Sequence, residues 1–271
     1  MNALLQRYAE SLLSIFFLAV VFYAFERIRP AEASQRFRDR VANYAYIPFG
    51  LACVGLLKVI LTPWNGAIIR LTDGGGLVAG VFGRLTIAEV AFSVCFAIAW
   101  DVWQYWVHRA QHRWPILWET HKFHHSDTAL NSSTAGRHQF LNYLVFAVAY
   151  APMLLLFGGH APHFIAGVLM FRVWGFVNHA NVRLGFGPLT SLVAGPQWHR
   201  IHHSVEPEHR DKNFATFFPF IDRMFGTYYA PAPNEYPATG IGPEPEGFLM
   251  QATISPFVAT WRRIKPGAHA N

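Results

Sequence analysis

The chain has 271 residues, of which 52% are apolar, 16% aromatic and only 14% charged. Soluble domains carry roughly 25% charged residues, so this composition excludes a disordered chain and argues against an ordinary water-soluble enzyme. The net charge is +6, and both cysteines, Cys53 and Cys95, lie in apolar runs, which leaves no disulfide framework or cysteine-rich metal site. Residues 1–10 lack the basic start of a cleavable secretory signal. The apolar composition and the low fraction of charged residues predict one domain, residues 1–271, embedded in a membrane.

Apolar segments follow one another along the chain and predict membrane helices over about residues 8–25, 44–62, 85–107, 141–157 and 164–178. A spanning helix needs about 20 residues. The second, third and fourth segments reach that length, whereas the first and fifth are short. Residues 158–162 form a turn that joins the last two segments into a hairpin, which either crosses the membrane and returns or dips in and re-emerges. We therefore predict an all-α integral membrane protein with four to five transmembrane helices.

The positions of the arginines predict which side of the membrane the loops face. The loop after the first segment contains Arg27, Arg29, Arg36, Arg38 and Arg40. The next loop, residues 63–84, contains only Arg70 and Arg84. By the positive-inside rule, residues 108–140 and 179–271 then form a helical cytoplasmic cap. The short chain suggests a bacterial inner membrane, and we expect no nucleic-acid partner.

Histidine spacing carries the chemical information. Three groups occur: His108 and His112; His121, His124 and His125; His199, His202 and His203. Residues three and four apart share one face of a helix, so each group projects imidazoles in one direction. Neutral imidazole suits iron, zinc, copper and nickel, and eight or nine histidines overfill one centre but fit two ions. The one Glu-x-x-His match, Glu206 to His209, lies outside the three histidine groups, and no His-Glu-x-x-His occurs. An all-nitrogen pair of metals at a membrane surface therefore indicates iron that handles dioxygen.

The three groups, in their sequence contexts, resemble the histidine boxes of the fatty acid hydroxylase/sterol desaturase superfamily of membrane di-iron enzymes. Asp101-Val-Trp-Gln-Tyr-Trp-Val-His-Arg is similar to the run that leads into the first box. Leu117-Trp-Glu-Thr-His-Lys-Phe-His-His-Ser is similar to the second box, and Pro196-Gln-Trp-His-Arg-Ile-His-His-Ser to the third. Asp211-Lys-Asn-Phe, with the residues up to 228, resembles the family's closing signature.

The resemblance implies a ninth ligand, His179, about twenty residues before the third box. It also implies two non-haem iron ions, dioxygen as co-substrate, and hydroxylation or desaturation of an unactivated C–H bond in a lipid such as a sterol, fatty acyl or sphingoid chain. The sequence contains no cytochrome b5-like haem motif, Rossmann fingerprint or iron–sulfur cysteines. We therefore expect the two electrons to come from a separate reductase or redox carrier.

Asp101 lies two helical turns before His108 on the same face. A carboxylate at that depth is costly unless it is paired. It is therefore expected either to accept the N–H of a ligand imidazole or to form an ion pair with Arg172 or Lys58.

Other histidines are expected to stay outside the ligand set. His138 is expected either beside a ligand histidine or on the surface. His209 is expected in a solvated loop, with orientation of the third box as the alternative. His160 and His163 are expected to be ordinary residues of the hairpin loop.

Two other classes of function stay open. A membrane metal carrier also clusters histidines, although it usually places its ligands along the spanning helices. A zinc-dependent membrane hydrolase would need a carboxylate base near the metal, for which Glu119 and Asp127 are the nearby candidates.

Overall fold

The structure, a computed structural model, describes residues 3–71, 86–158, 162–242 and 247–264. Within these ranges the chain forms helices and no β-strand, and the only β-type pairing is an isolated bridge between Ser204 and Thr239. The predicted all-α class is therefore confirmed.

Eleven α-helices follow one another in the described part of the chain. They are α1 (Ala3–Glu26), α2 (Arg38–Arg70), α3 (Thr86–Arg113), α4 (Pro115–His125), α5 (Phe140–Ala149), α6 (Ala151–Phe157), α7 (Pro162–His179), α8 (Pro196–His202), α9 (Phe220–Met224), α10 (Phe248–Thr253) and α11 (Ser255–Ile264). Short 3₁₀ turns occupy Ser132–Gly136, Gly187–Ser191 and Pro207–His209. Helices α1 and α2 are long and precede the first histidine group, and short helices joined by loops dominate after α7.

Three helical stretches in the described residues are long and apolar enough to cross a membrane: Tyr8–Glu26, Arg38–Arg70 and Phe140–Phe157. The first of these agrees with the predicted segment 8–25, and its helix begins five residues earlier, at Ala3. The third is interrupted at Tyr150, where α6 begins with a proline in its first turn that cannot donate a backbone hydrogen bond. The segments at 85–107 and 164–178 form α3 and α7, and their crossing of the membrane stays a prediction. Residues 159–161 of the predicted turn lie outside the described residues.

A buried carboxylate joins the ends of three helices. Glu26, at the end of α1, is 1% exposed and pairs with the guanidinium of Arg40 in α2. It also accepts hydrogen bonds from the backbone N–H groups of Ser132 (2.7 Å) and Asn181 (2.8 Å). A buried ion pair offsets its desolvation only when further hydrogen bonds complete it. These bonds hold the end of α7, and with it His179, against the 3₁₀ turn Ser132–Gly136.

A second buried polar group fixes the end of α4. Arg137 donates to the carbonyl of Phe123 (2.8 Å) and to the hydroxyl of Ser126 (2.6 Å). Asp127 accepts from the side chains of Asn43 (2.9 Å) and Thr134 (2.6 Å). Because Asn43 belongs to α2, the helix that carries the second histidine group is tied to a helix long enough to cross the membrane.

Candidate metal centre

Nine histidines form two compact clusters in the structure. The first consists of His108, His112, His121, His125 and His202, and the second of His124, His179, His199 and His203. Within each cluster one ring nitrogen from every residue lies within 4.8 Å of the others. All nine predicted ligands are therefore brought together, and they divide into two sets.

Helix geometry explains how neighbouring histidines reach different clusters. His121 and His125 are four residues apart in α4 and point into the first cluster, whereas His124 points into the second. In the third group His199 and His203 join the second cluster, and His202 joins the first. Adjacent helical residues differ by about 100° in direction, whereas residues four apart nearly coincide. The His-x-x-His-His spacing therefore supplies ligands to two sites from one helix.

The Nε2 atoms of the rings converge within each cluster. In the first, Nε2 of His108 lies 2.9 Å from Nε2 of His202, and Nε2 of His125 lies 3.1 Å from that of His112. In the second, Nε2 of His179 lies 3.1 Å from Nε2 of both His124 and His199. Each separation joins two ring nitrogens that come from different helices.

Backbone carbonyls decide which ring nitrogen carries the proton. Nδ1 of His108 donates to the carbonyl of Phe214 (3.0 Å), and Nδ1 of His202 donates to that of Lys212 (2.8 Å). A carbonyl oxygen only accepts, so both rings are protonated at Nδ1 and present a lone pair at Nε2. These two lone pairs face each other at 2.9 Å with no proton between them. The repulsion is relieved by a cation between the rings, so this donor set fits a metal ion.

The second cluster shows the same chemistry. Nδ1 of His179 donates to the carbonyl of Gly175 (2.6 Å), which again leaves a lone pair at Nε2. His203 is 1% exposed, and among the described residues neither of its ring nitrogens has a hydrogen-bond partner. Buried polar atoms normally find a partner, and a metal ion would supply one for the ring nitrogen that faces the cluster.

Burial also keeps the rings neutral. It is the largest cause that lowers the pKa of His199, His202 and His203 well below the usual histidine value. Neutral imidazole is the form that binds transition metals. The clusters therefore hold their histidines in the protonation state that ligation needs.

The loop after the third histidine group is organised by two buried carboxylates. Asp222 accepts from the backbone N–H groups of Phe214 (2.8 Å) and Ala215 (2.9 Å). Asp101 accepts from those of Thr216 (2.8 Å), Phe217 (2.9 Å) and Phe218 (2.6 Å). The backbone N–H groups of five successive residues, 214–218, thus donate to the carboxylates of Asp222 and Asp101. As a result, the carbonyl of Phe214 is held where His108 needs an acceptor.

Both roles expected for Asp101 are wrong. Its carboxylate bonds to neither an imidazole nor the side chains of Arg172 and Lys58, because three backbone amides of residues 216–218 use its two oxygens. The sequence contains no signal for this contact, since these amides lie 115 to 117 residues away. Asp101 therefore acts on His108 through the loop that carries the Phe214 carbonyl.

Strained backbone presents the carbonyl of Lys212, which accepts from Nδ1 of His202. Asp211 and Asn213 have positive φ angles of 57° and 60°, which are uncommon for residues other than glycine. The Asn213 side chain holds this conformation, since it donates to the carbonyls of Trp198 (3.2 Å) and Tyr229 (3.1 Å). Lys212 lies between the two residues and offers its carbonyl to His202. Neither Asn213 nor Asp222 was predicted to have a role, although both belong to the segment that resembles the family's closing signature.

His138 lies beside the second cluster without joining it. Its ring stacks on that of His124 at 4.5 Å, and its Nδ1 accepts from the amide of Asn142 (3.0 Å). The oxygen of the same amide lies 3.4 Å from Nδ1 of His121. Of the two positions expected for His138, beside a ligand histidine or on the surface, the structure has the first. Asn142 connects His138 to His121 of the first cluster.

His209 is not in a solvated loop. It is 2% exposed, and its ring nitrogens contact the hydroxyl of Ser204 (2.9 Å) and the carboxylate of Glu235 (3.0 Å). Because Ser204 directly follows His203, this contact fixes the end of the third histidine group. His160 and the side chain of His163 lie outside the described residues.

The two carboxylates considered as hydrolytic bases are engaged elsewhere. Glu119 accepts from the guanidinium of Arg263 (2.7 Å), and Asp127 accepts from Asn43 and Thr134. Both make stabilising contacts between elements of the fold, which argues against the zinc hydrolase.

Residues 93–227 match the family model described as fatty acid hydroxylase. The chain is 30% identical over 241 residues to an alkylglycerol monooxygenase of Xenopus tropicalis, which covers 78% of this chain and 52% of that protein. It is 34% identical over 131 residues to the human alkylglycerol monooxygenase, covering 48% of this chain and 29% of that protein. It is also 29% identical over 217 residues to an ornithine lipid hydroxylase of Rhizobium tropici, covering 71% of this chain and 65% of that protein.

The chain thus spans about half the length of the Xenopus relative. No solved structure gives a significant match. The matched region, residues 93–227, contains all nine clustered histidines as well as Asp101, Asn213 and Asp222. This chain is a member of the fatty acid hydroxylase/sterol desaturase superfamily.

Proposed function

We propose that this chain is a membrane di-iron oxygenase. It would use dioxygen and two external electrons to hydroxylate, or desaturate, an unactivated C–H bond of a lipid. The pair of all-histidine clusters is the observation that carries the proposal, together with the lone pairs of His108 and His202 that face each other in the first cluster. The names of the relatives, an alkylglycerol monooxygenase and an ornithine lipid hydroxylase, support lipid hydroxylation.

Each cluster would hold one iron ion. The first ion would be bound by His108, His112, His121, His125 and His202, and the second by His124, His179, His199 and His203. Bound iron supplies the redox chemistry with dioxygen that breaks an unactivated C–H bond, whereas zinc binds the same ligands but has no redox activity. The protein's part is to hold rings in one tautomer, which the carbonyls of Lys212, Phe214 and Gly175 do for His202, His108 and His179.

The position of the clusters supports a lipid substrate. His179 is the last residue of α7, and His108 lies near the end of α3. The residues before them in both helices are mainly apolar. An alkyl or acyl chain that lies among these helices would therefore bring one of its carbons to the ends that carry the histidines.

Metal content and oxygen use test the proposal together. The purified protein, loaded anaerobically with ferrous iron, is expected to bind two iron ions per chain. With a reductase system, NADH and a candidate lipid, it should consume oxygen and yield a product that has gained one oxygen atom or lost two hydrogens. Without the reductase it should be inactive, because no internal electron carrier is predicted. The zinc-loaded protein is the matched control and should consume no oxygen. Metal transport or lipid hydrolysis without oxygen use would contradict the proposal.

We also propose that the histidine clusters face the cytoplasm of a bacterial inner membrane. The arginines between α1 and α2 support this orientation through the positive-inside rule. In a background without Cys53 and Cys95, a Gly75→Cys variant should react with a membrane-impermeant thiol reagent in intact cells. A Glu208→Cys variant, in the half that carries the third histidine group, should react only after the cells are opened. The reverse labelling pattern would overturn this orientation.

A further inference from the structure

The C-terminal helices expose a continuous apolar face. Helices α10 and α11 are separated only by Ile254, where Pro256 interrupts the backbone hydrogen bonds. Large apolar side chains are exposed at Met250, Ile254, Phe257, Trp261 and Ile264, with Trp261 66% and Ile264 58% exposed. Their successive spacings of four and three residues place them on one face of a helix. An exposed apolar stripe of this kind marks an interaction surface.

Contacts with α2 place this face at the level of the membrane boundary. The hydroxyl of Tyr46, in the third turn of α2, donates to the carbonyl of Ala252 (3.3 Å). The ring of Phe248 packs against that of Tyr46 at 5.8 Å. Because α2 begins at Arg38 and is long and apolar enough to cross a membrane, α10 lies beside the first turns of a predicted span.

Contacts with α4 place the same face on the side of the histidine clusters. Arg263 in α11 pairs with Glu119 (2.7 Å), and the hydroxyl of Ser126 donates to the side chain of Gln251 (3.0 Å). Glu119 lies two residues before His121, and Ser126 directly follows His125. The C-terminal helices are therefore attached to the helix that carries the second histidine group.

The surroundings of the apolar face are basic. Arg262 is exposed in α11 and, with Lys122, lines a cleft between α11 and α4. Arg113 is exposed just before α4, next to the exposed side chains of Trp114 and Ile116. The one acid of this cleft, Glu119, is paired with Arg263. Basic residues beside aromatic and aliphatic side chains are typical of surfaces that lie on anionic membranes.

We propose that α11 is an in-plane docking element for the anionic interface of the bilayer. Phe257, Trp261 and Ile264 would enter the boundary between headgroups and acyl chains, while Arg262 would meet the lipid phosphates. The bilayer is the occupant because α2 brings its boundary to α10, and because the charge of the face complements anionic headgroups. The inference does not depend on metal or on the proposed reaction. It implies that the membrane surface holds α4 at a fixed depth.

Spin labels on the full-length protein test this proposal. Cysteine variants Phe257→Cys, Trp261→Cys and Ile264→Cys, in a background without Cys53 and Cys95, would be labelled and reconstituted into phosphatidylcholine vesicles that contain phosphatidylglycerol. These labels should collide with oxygen more often than with a water-soluble nickel chelate. The control, Glu208→Cys, carries its label at an exposed position outside the docking face and should show the opposite preference. Without phosphatidylglycerol, the labels at residues 257, 261 and 264 should become more accessible to the chelate.

Three outcomes would overturn the proposal. The first is access of the nickel chelate to the apolar-face labels equal to that of the Glu208→Cys control. The second is protection from both reagents with dipolar broadening between labels, which would indicate a second copy of the chain. The third is the absence of any effect of phosphatidylglycerol. A label-free measurement complements them: lipids with brominated acyl chains should quench the part of the tryptophan fluorescence that Trp261→Phe removes.

Discussion

The His202→Ala variant is expected to lose more than about 100-fold in turnover and to bind less iron, with its helical, membrane-inserted fold retained. His202 brings Nε2 to within 2.9 Å of Nε2 of His108, and its removal leaves the first cluster one imidazole short. Because oxygen activation would need both ions, loss of one should abolish the reaction rather than halve it. Iron analysis, product formation and circular dichroism check the three parts of this expectation.

His179→Ala should behave in the same way through the second cluster, where His179 faces both His124 and His199 at 3.1 Å. It is the sharper test, because its assignment came from family resemblance and not from local spacing. His160→Ala and His163→Ala are the matched controls and should keep both iron and activity. A His179→Ala protein with full iron content and normal turnover would remove this residue from the ligand set.

The second large effect is expected from Asp101→Asn, a change far from the rings themselves. Asp101 is fully buried, and its two oxygens accept from the amides of residues 216–218. The asparagine keeps one acceptor and points an N–H group at backbone donors. Each unsatisfied buried amide costs about 1–3 kcal/mol. The loop should shift, and with it the Phe214 carbonyl that holds the tautomer of His108.

We expect Asp101→Asn to lower activity and the affinity of the first cluster for iron by about 10–100-fold, as for other groups that orient a metal ligand. A positioning role predicts that excess ferrous iron restores part of the activity of folded protein. A purely structural role predicts a lower yield with normal iron affinity per folded chain, which would contradict the assignment. Glu208→Gln, which changes an exposed carboxylate near the same loop, is the matched control and should have neither effect.

Much of the candidate site was predictable because it depends on local periodicity. Histidines three and four residues apart lie on one side of a helix, so spacing alone indicated metal ligation by His121, His124 and His125 and by the third group. The expectation that each group projects in one direction was wrong for these two groups, because their members divide between the two clusters. Composition and apolar run length likewise predicted a helical membrane protein, and the helices agree with the predicted segments to within several residues at most ends. These inferences need no knowledge of how distant parts of the chain pack.

Only the tertiary structure decided how the nine rings divide between two clusters and what holds them. His108 meets His202 across 94 residues and the Phe214 carbonyl across 106, and no local pattern relates such positions. The expectation that His209 is solvated was wrong because Glu235, 26 residues away, covers it. The spacing of histidines along a helix determined that rings four residues apart point into the same cluster. Which rings face each other, and which tautomer each adopts, depends on where other helices and loops place their backbone carbonyls.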